Sequence, residues 1–189
     1  MPSSMVHLLT AYKFNPDAST TFLVGNIVPD IVNEWKEKDR LHLRDRLDRI
    51  GALEELACTM NLHDDFDLGI LLHLFVDYKW DTNPREKFIK GYEGYTWFHP
   101  YRHEIALSGV WLYNHTEWSK RVWEEMMSCP LELFENSHGY EKEDIAEFIS
   151  HNYKWHEEND IGPSSFFTPD LIEVFTSEVA LEFGNWLAG

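Results

Sequence analysis

Apolar positions along this chain recur at three- and four-residue spacing in short blocks, and nowhere do they alternate long enough to make a strand. The most continuous block is Phe66 to Asp81, FDLGILLHLFVDYKWD, which predicts a buried central helix. Residues 3 to 14 predict a helix with Ser3 or Ser4 as its cap, and Pro16 predicts the start of a second one running to about Asn26. Val28-Pro29-Asp30-Ile31 then reads as a rigid bend. Further helices are predicted over 51–60, 84–90 and 99–115, the last continuing through 115–127 to Cys129-Pro130, and then over 141–157 and 169–187. Gly91 to Phe98 and Gly162-Pro163-Ser164-Ser165 read as loops. The run EWKEKDRLHLRDRLDR, residues 34–49, mixes both signs of charge and predicts a solvated helix face or a surface loop. The expectation is one all-α, multi-helix domain over residues 1–189.

Composition narrows the function classes. With 43% hydrophobic and 15% aromatic residues, the 189-residue chain can bury a sizeable core. A formal net charge of -17 argues against a double-stranded nucleic-acid partner, because phosphate binding needs clustered Lys and Arg. It argues equally against docking on anionic membranes. No stretch of about 18 apolar residues predicts a membrane span, and the start MPSSMVHLLTAYKF lacks the pattern of a secretory signal. A cytoplasmic location without membrane insertion is expected. Cys58 and Cys129 form no CxxC pair and predict reduced, buried thiols.

The chemistry concentrates in the central block. His73 and Asp77 stand four residues apart and leave one face of the helix a turn apart. An ionised carboxylate on a buried helix is costly unless a metal or an opposite charge compensates it. His with Asp at this spacing presents nitrogen and oxygen to a zinc-type cation. Gly69, one turn earlier, leaves room for a neighbouring backbone or a ligand. His7 sits in an apolar setting, where a core histidine is the commoner outcome, and His42 lies between two leucines. Trp80, Trp97 and Trp111 could line a pocket, although core packing is the better expectation for each.

Taken in order, His7, Gly25-Asn26-Ile27-Val28-Pro29-Asp30, His42 and Gly69-x3-His73-x3-Asp77 resemble the zinc-dependent phospholipase C family, whose fold is shared with zinc-dependent single-strand nucleases. The resemblance covers roughly residues 1–81. It implies a helical bundle that binds zinc, one or two ions here, with His7, Asp30, His42, His73 and Asp77 as metal ligands. Asp77 would be the bridging carboxylate, and Asp30 would ligate or take the proton from the attacking water. The implied activity is metal-dependent hydrolysis of phosphoric ester bonds in a small-molecule substrate. Downstream the family's His-x3-Glu pattern is missing, and His103, with His99, Glu104 and His115, supplies the candidates for further ligands.

Two other readings compete. A phosphohydrolase of the HD type would use His42 with the His63-Asp64 doublet and a later Asp, and would leave His73 and Asp77 unexplained. A non-catalytic acidic helical interaction module would pair His73 with Asp77 by hydrogen bonding alone.

Overall fold

The computed structural model describes residues 1–136 and 138–189, and among them the regular structure is entirely helical. Helix α1 spans Ser4–Phe14, α2 Thr20–Gly25, α3 Trp35–Leu41 and α4 Arg49–Thr59. The central α5 spans Asp65–Thr82, followed by α6 Pro84–Ile89, α7 Phe98–His115, α8 Ser119–Met127, α9 Lys142–Glu157 and α10 Pro169–Leu187. Short 3-10 turns occupy Val28–Ile31 and Leu131–Phe134. No helix is long and apolar enough to cross a membrane among the described residues.

Local chemistry explains where the elements begin. The Asp64 carboxylate accepts from Phe66 N and Asp67 N and caps α5, while Asp65 and Asp67 add negative charge to its first turn. Pro16 does not start α2. It lies in the turn after α1, and α2 begins at Thr20, where Ser19 Oγ accepts from Phe22 N at 3.2 Å. A capping hydroxyl satisfies an otherwise orphaned N–H, which proline at that point cannot do. The expected continuous helix across residue 115 is broken as well. Thr116 is extended, and the Ser119 hydroxyl donates to the carbonyls of Tyr113 and Thr116, turning the chain into α8.

Helix α5 is buried on nearly every side, with Phe66, Ile70, Leu71, Leu72, Leu74, Phe75, Val76 and Trp80 all in the core. Trp80 packs against Phe167 and Phe175 and donates from Nε1 to Tyr101 Oη at 2.8 Å. Trp97 and Trp111 pack half-buried against this core. Helices α2 and α5 meet through a reciprocal pair of glycines. A Cβ on Gly69 would lie 2.2 Å from Phe22 O, and one on Gly25 would lie 2.2 Å from Phe66 O. Only hydrogen at both positions lets the two backbones touch. Cys58 is exposed and Cys129 half-buried, both free thiols, against the expectation of burial. The apolar seam of α4 runs through Ala52 and Leu53 instead.

His156 of α9 is buried beside Trp123 and Tyr113, its Nδ1–H donating to Asn152 O at 2.7 Å. Burial pushes its pKa down from 6.5 to about 4. Below pH 6.5 the unfolded chain therefore binds a proton here that the folded chain refuses until about pH 4, so stability falls as pH falls. Over that window the parent should lose roughly 3 kcal/mol more than His156→Gln, taking 1.36 kcal/mol per pH unit. Denaturant midpoints of the two proteins from pH 7 to 4 measure the difference, and parallel curves would remove this assignment.

Candidate metal centre

Four separate segments bring the site together. Helix α1 supplies His7, the 3-10 turn supplies Asp30, the end of α3 supplies His42, and α5 supplies His73 and Asp77. The tight α2–α5 contact places Asn26 O 2.8 Å from His73 Nδ1. His42 is held from its own helix, with Nδ1 2.7 Å from Lys38 O. It caps α3 just before Leu43, whose φ of 56° ends the helix in the left-handed conformation usually left to glycine. That turn redirects the chain so that Arg44 reaches α5.

The histidine tautomers follow from these bonds. A carbonyl only accepts, so Nδ1 of both His42 and His73 carries the proton, and in the neutral rings Nε2 is a bare lone pair. The two Nε2 atoms face each other at 3.1 Å. Asp30 Oδ1 lies 3.3 Å from His42 Nε2 and 4.0 Å from His73 Nε2, and Asp77 Oδ2 lies 3.5 and 3.9 Å from the same atoms. Asp77 Oδ1 turns the other way, 3.6 Å from His7 Nε2. The His7 ring stacks on His73 with centroids 4.0 Å apart. Carboxylate oxygens of Asp30 and Asp77 thus flank the two Nε2 atoms, and all four residues are buried except Asp30, which is 10% exposed. Asp30 Oδ1, Asp77 Oδ1 and both ring nitrogens of His7 have no hydrogen-bond partner among the described residues. Such a cage needs a cation or an extra proton at its centre.

Basic side chains surround the cage. Arg44 contacts Asp77 Oδ2 at 2.9 Å and Asp81 Oδ2 at 2.7 Å, and Arg49 contacts Asp81 Oδ2 at 2.9 Å. Lys38 faces Asp30 Oδ1 at 3.2 Å, and the Met1 ammonium lies 3.7 Å from Asp81 Oδ1. Burial alone would raise the carboxylate pKa values. For Asp30 a hydrogen bond from the His42 ring, which that ring gives only when Nε2 is protonated, and the Lys38 ammonium outweigh burial; for Asp77 the Arg44 guanidinium does, so both sit well below the ordinary range. Burial, with His7 beside it, holds His73 well below its ordinary value and keeps it neutral.

The five residues His7, Asp30, His42, His73 and Asp77 are therefore gathered in one place, in two overlapping groups. His103, named as a sixth ligand, is exposed on α7 and lies outside both groups. The apolar face of α7 is carried by Tyr101, Ile105 and Ser108, and His103 points off it. His99 and His115 are also exposed, and Glu104 is occupied by Ser164, Ser165 and Phe166. His63 and Asp64 stand exposed at the start of α5, with Asp64 spent on capping, and neither joins His42. Lys38, Arg44, Arg49 and Asp81 are the members that pattern reading missed. Asp77-x3-Asp81 is a second one-turn step on α5 and was the available signal for an additional buried carboxylate in need of partners.

Beside the cage an open cleft of about 1000 Å³ is lined by Asp30, Lys38, Arg102, Tyr140, Phe148 and Trp155, among others. Its volume suits a small-molecule ligand. The chain matches no protein-family model, no curated protein and no solved structure.

Proposed function

We propose that this protein is a metal-dependent hydrolase of phosphoric esters, with zinc the cation that its nitrogen and oxygen donors suit best. The observation that carries the reading is the pair of Nε2 atoms at 3.1 Å, each in a ring whose Nδ1 is turned to a carbonyl, ringed by carboxylate oxygens of Asp30 and Asp77. The donor set fits a divalent cation: the tautomers are fixed by carbonyls behind each ring, and unpartnered oxygens point inward. A bound divalent cation supplies hydroxide near neutral pH and draws charge from phosphoryl oxygens.

The chain's own residues have separable tasks in this reading. His42 and His73 hold the cation through Nε2. Asp77 presents one oxygen towards His7 and the other towards His42 and His73, the disposition of a bridging carboxylate. Arg44 fixes its rotamer from behind. Asp30 is the ligand that also lines the cleft, so it stands where a metal-bound water would meet the substrate. The basic shell matters too. The whole chain carries -17, yet Asp30, Asp77 and Asp81 are each matched by a neighbouring cation, so the positive charge that would attract an anionic substrate is that of the bound metal.

The same Arg44 contact supports a second reading, a metal-free polar core in which Arg44 and a protonated histidine neutralise the carboxylates. Metal content separates the two. Protein purified without chelator or metal-affinity tag should carry at least one equivalent of zinc per chain by elemental analysis, and His73→Ala should lose it. Metal absent from the parent even after incubation with zinc would leave the polar core, and equal content in both proteins would dismiss the ligand assignment. Parent protein with metal should then be screened against phosphate esters.

A further inference from the structure

Lys38 is the one basic member of the shell that both lines the cleft and leans on a proposed ligand. Its ammonium has two contacts among the described residues, Asp30 Oδ1 at 3.2 Å and Asp30 O at 3.1 Å. Its side chain is 19% exposed. Arg44 differs in kind. If a cation draws on Asp77, Arg44 keeps Asp81 as a full ion-pair partner, and Arg49 keeps the same carboxylate. Among the described residues Lys38 is ion-paired with no carboxylate besides Asp30. A divalent cation on Asp30 both removes its counter-charge and repels it across a few ångströms.

The charge balance of the site decides what Lys38 must then meet. Asp30, Asp77 and Asp81 are already matched by Lys38, Arg44 and Arg49, with the Met1 ammonium and Arg85 also near Asp81, so a divalent cation enters with its charge uncompensated. Negative charge arriving through the cleft offsets that excess, and a dianion offsets more of it than a monoanion. A phosphoric monoester carries about two at neutral pH, and a diester carries one. We propose that Lys38 is the phosphate anchor of this site, its ammonium moving from Asp30 to a non-bridging oxygen of a phosphomonoester dianion in the cleft. Ammonium donors hold phosphate as point charges and need no fixed fork, which suits a long side chain already at the mouth. The inference rests on the metal-dependent reading and narrows its substrate class to monoesters.

The test titrates inorganic phosphate, and dimethyl phosphate as a diester probe, into protein loaded with zinc and freed of excess metal, using the parent, Lys38→Gln and Lys38→Arg. All three should fold, since Lys38 lies at the cleft mouth and not in the apolar core, and should hold equal zinc by elemental analysis. Phosphate should bind the parent more tightly than dimethyl phosphate does. Lys38→Gln should weaken phosphate binding about tenfold or more, as expected for losing a charged hydrogen bond, and Lys38→Arg should keep most of it. Lys38→Gln should also hold zinc at least as tightly as the parent, because no ammonium competes for Asp30. Full zinc with unchanged phosphate affinity in Lys38→Gln overturns the anchor and leaves the metal reading standing. Equal affinity of the parent for both probes overturns the monoester preference. Absence of zinc from all three proteins removes the metal reading, and the anchor with it.

Discussion

Replacing Arg44 with methionine should destabilise the metal-free protein by about 3–5 kcal/mol, the usual cost of removing one partner from a buried ion pair. Arg44 is 18% exposed, and Asp77 beneath it is fully buried. Without the guanidinium, Asp77 keeps its histidine neighbours and the more distant Met1 ammonium, and Asp81 falls back on Arg49, Arg85 and the Met1 ammonium. At about 2–4 °C per kcal/mol for a chain of this size, the melting temperature should drop by roughly 10 °C. Acidification should narrow the gap. In the parent Arg44 depresses the Asp77 pKa, so that contribution is present above about pH 4 and lost below it. In the variant, protonating Asp77 removes the stranded charge.

Zinc sharpens this experiment. A cation bound by Asp77 and the histidines replaces the charge that Arg44 supplied, so zinc should raise the melting temperature of Arg44→Met by more than it raises the parent's. Thermal melts with zinc and with chelator, on both proteins, give the four values needed. A zinc response absent from both would show that the basic shell, and not a bound cation, balances the carboxylates. The interaction module would then be the better account of the chain.

The contrast between Arg44 and His73 marks what could be seen in the sequence. His73 and Asp77 stood out because polar residues one turn apart interrupt an apolar run, and only buried chemistry explains that. Helix starts were legible at Asp64 and Pro169, whereas Pro16 announced one that begins only at Thr20. Residues 34–49 misled for the opposite reason. Lys38, Arg44 and Arg49 lie among exposed charges such as Lys36, Arg40, Asp45 and Arg46, and nothing local distinguishes those that turn inward. Their burial depends on Asp30, Asp77 and Asp81, which other segments bring to them. His103 failed in the same way. Its spacing from His99 was helical, but the helix presents both to solvent. Spacing reports which side chains share a face, and packing decides where the face points.

Gly69→Val should be the most damaging single substitution outside the ligands, because it acts on the contact that builds the site. The new Cβ would lie 2.2 Å from Phe22 O and 2.8 Å from Asn26 N, both backbone atoms that cannot rotate away. Relief requires α2 to lift off α5, at a cost of about 3 kcal/mol or more, or roughly 6–12 °C in melting temperature. The functional consequence is separate and larger. Asn26 O is the acceptor for His73 Nδ1–H, and Asp30 follows four residues later in the turn that α2 carries. Moving α2 therefore frees the His73 tautomer and withdraws Asp30 together. Loss of the partner behind a ligating histidine costs about 10–100-fold in metal affinity, and the displaced Asp30 adds to that. Gly184→Val is the control: its Cβ has nothing nearer than Phe14 Cε2 at 3.8 Å, so a similar helix-interior valine there should leave zinc affinity unchanged. Zinc affinity by competition with a chromogenic chelator, measured where each variant is still folded, separates the two effects. If Gly69→Val melts early yet binds zinc as the parent does, the α2–α5 seam is structural only, and the histidine cage forms without it.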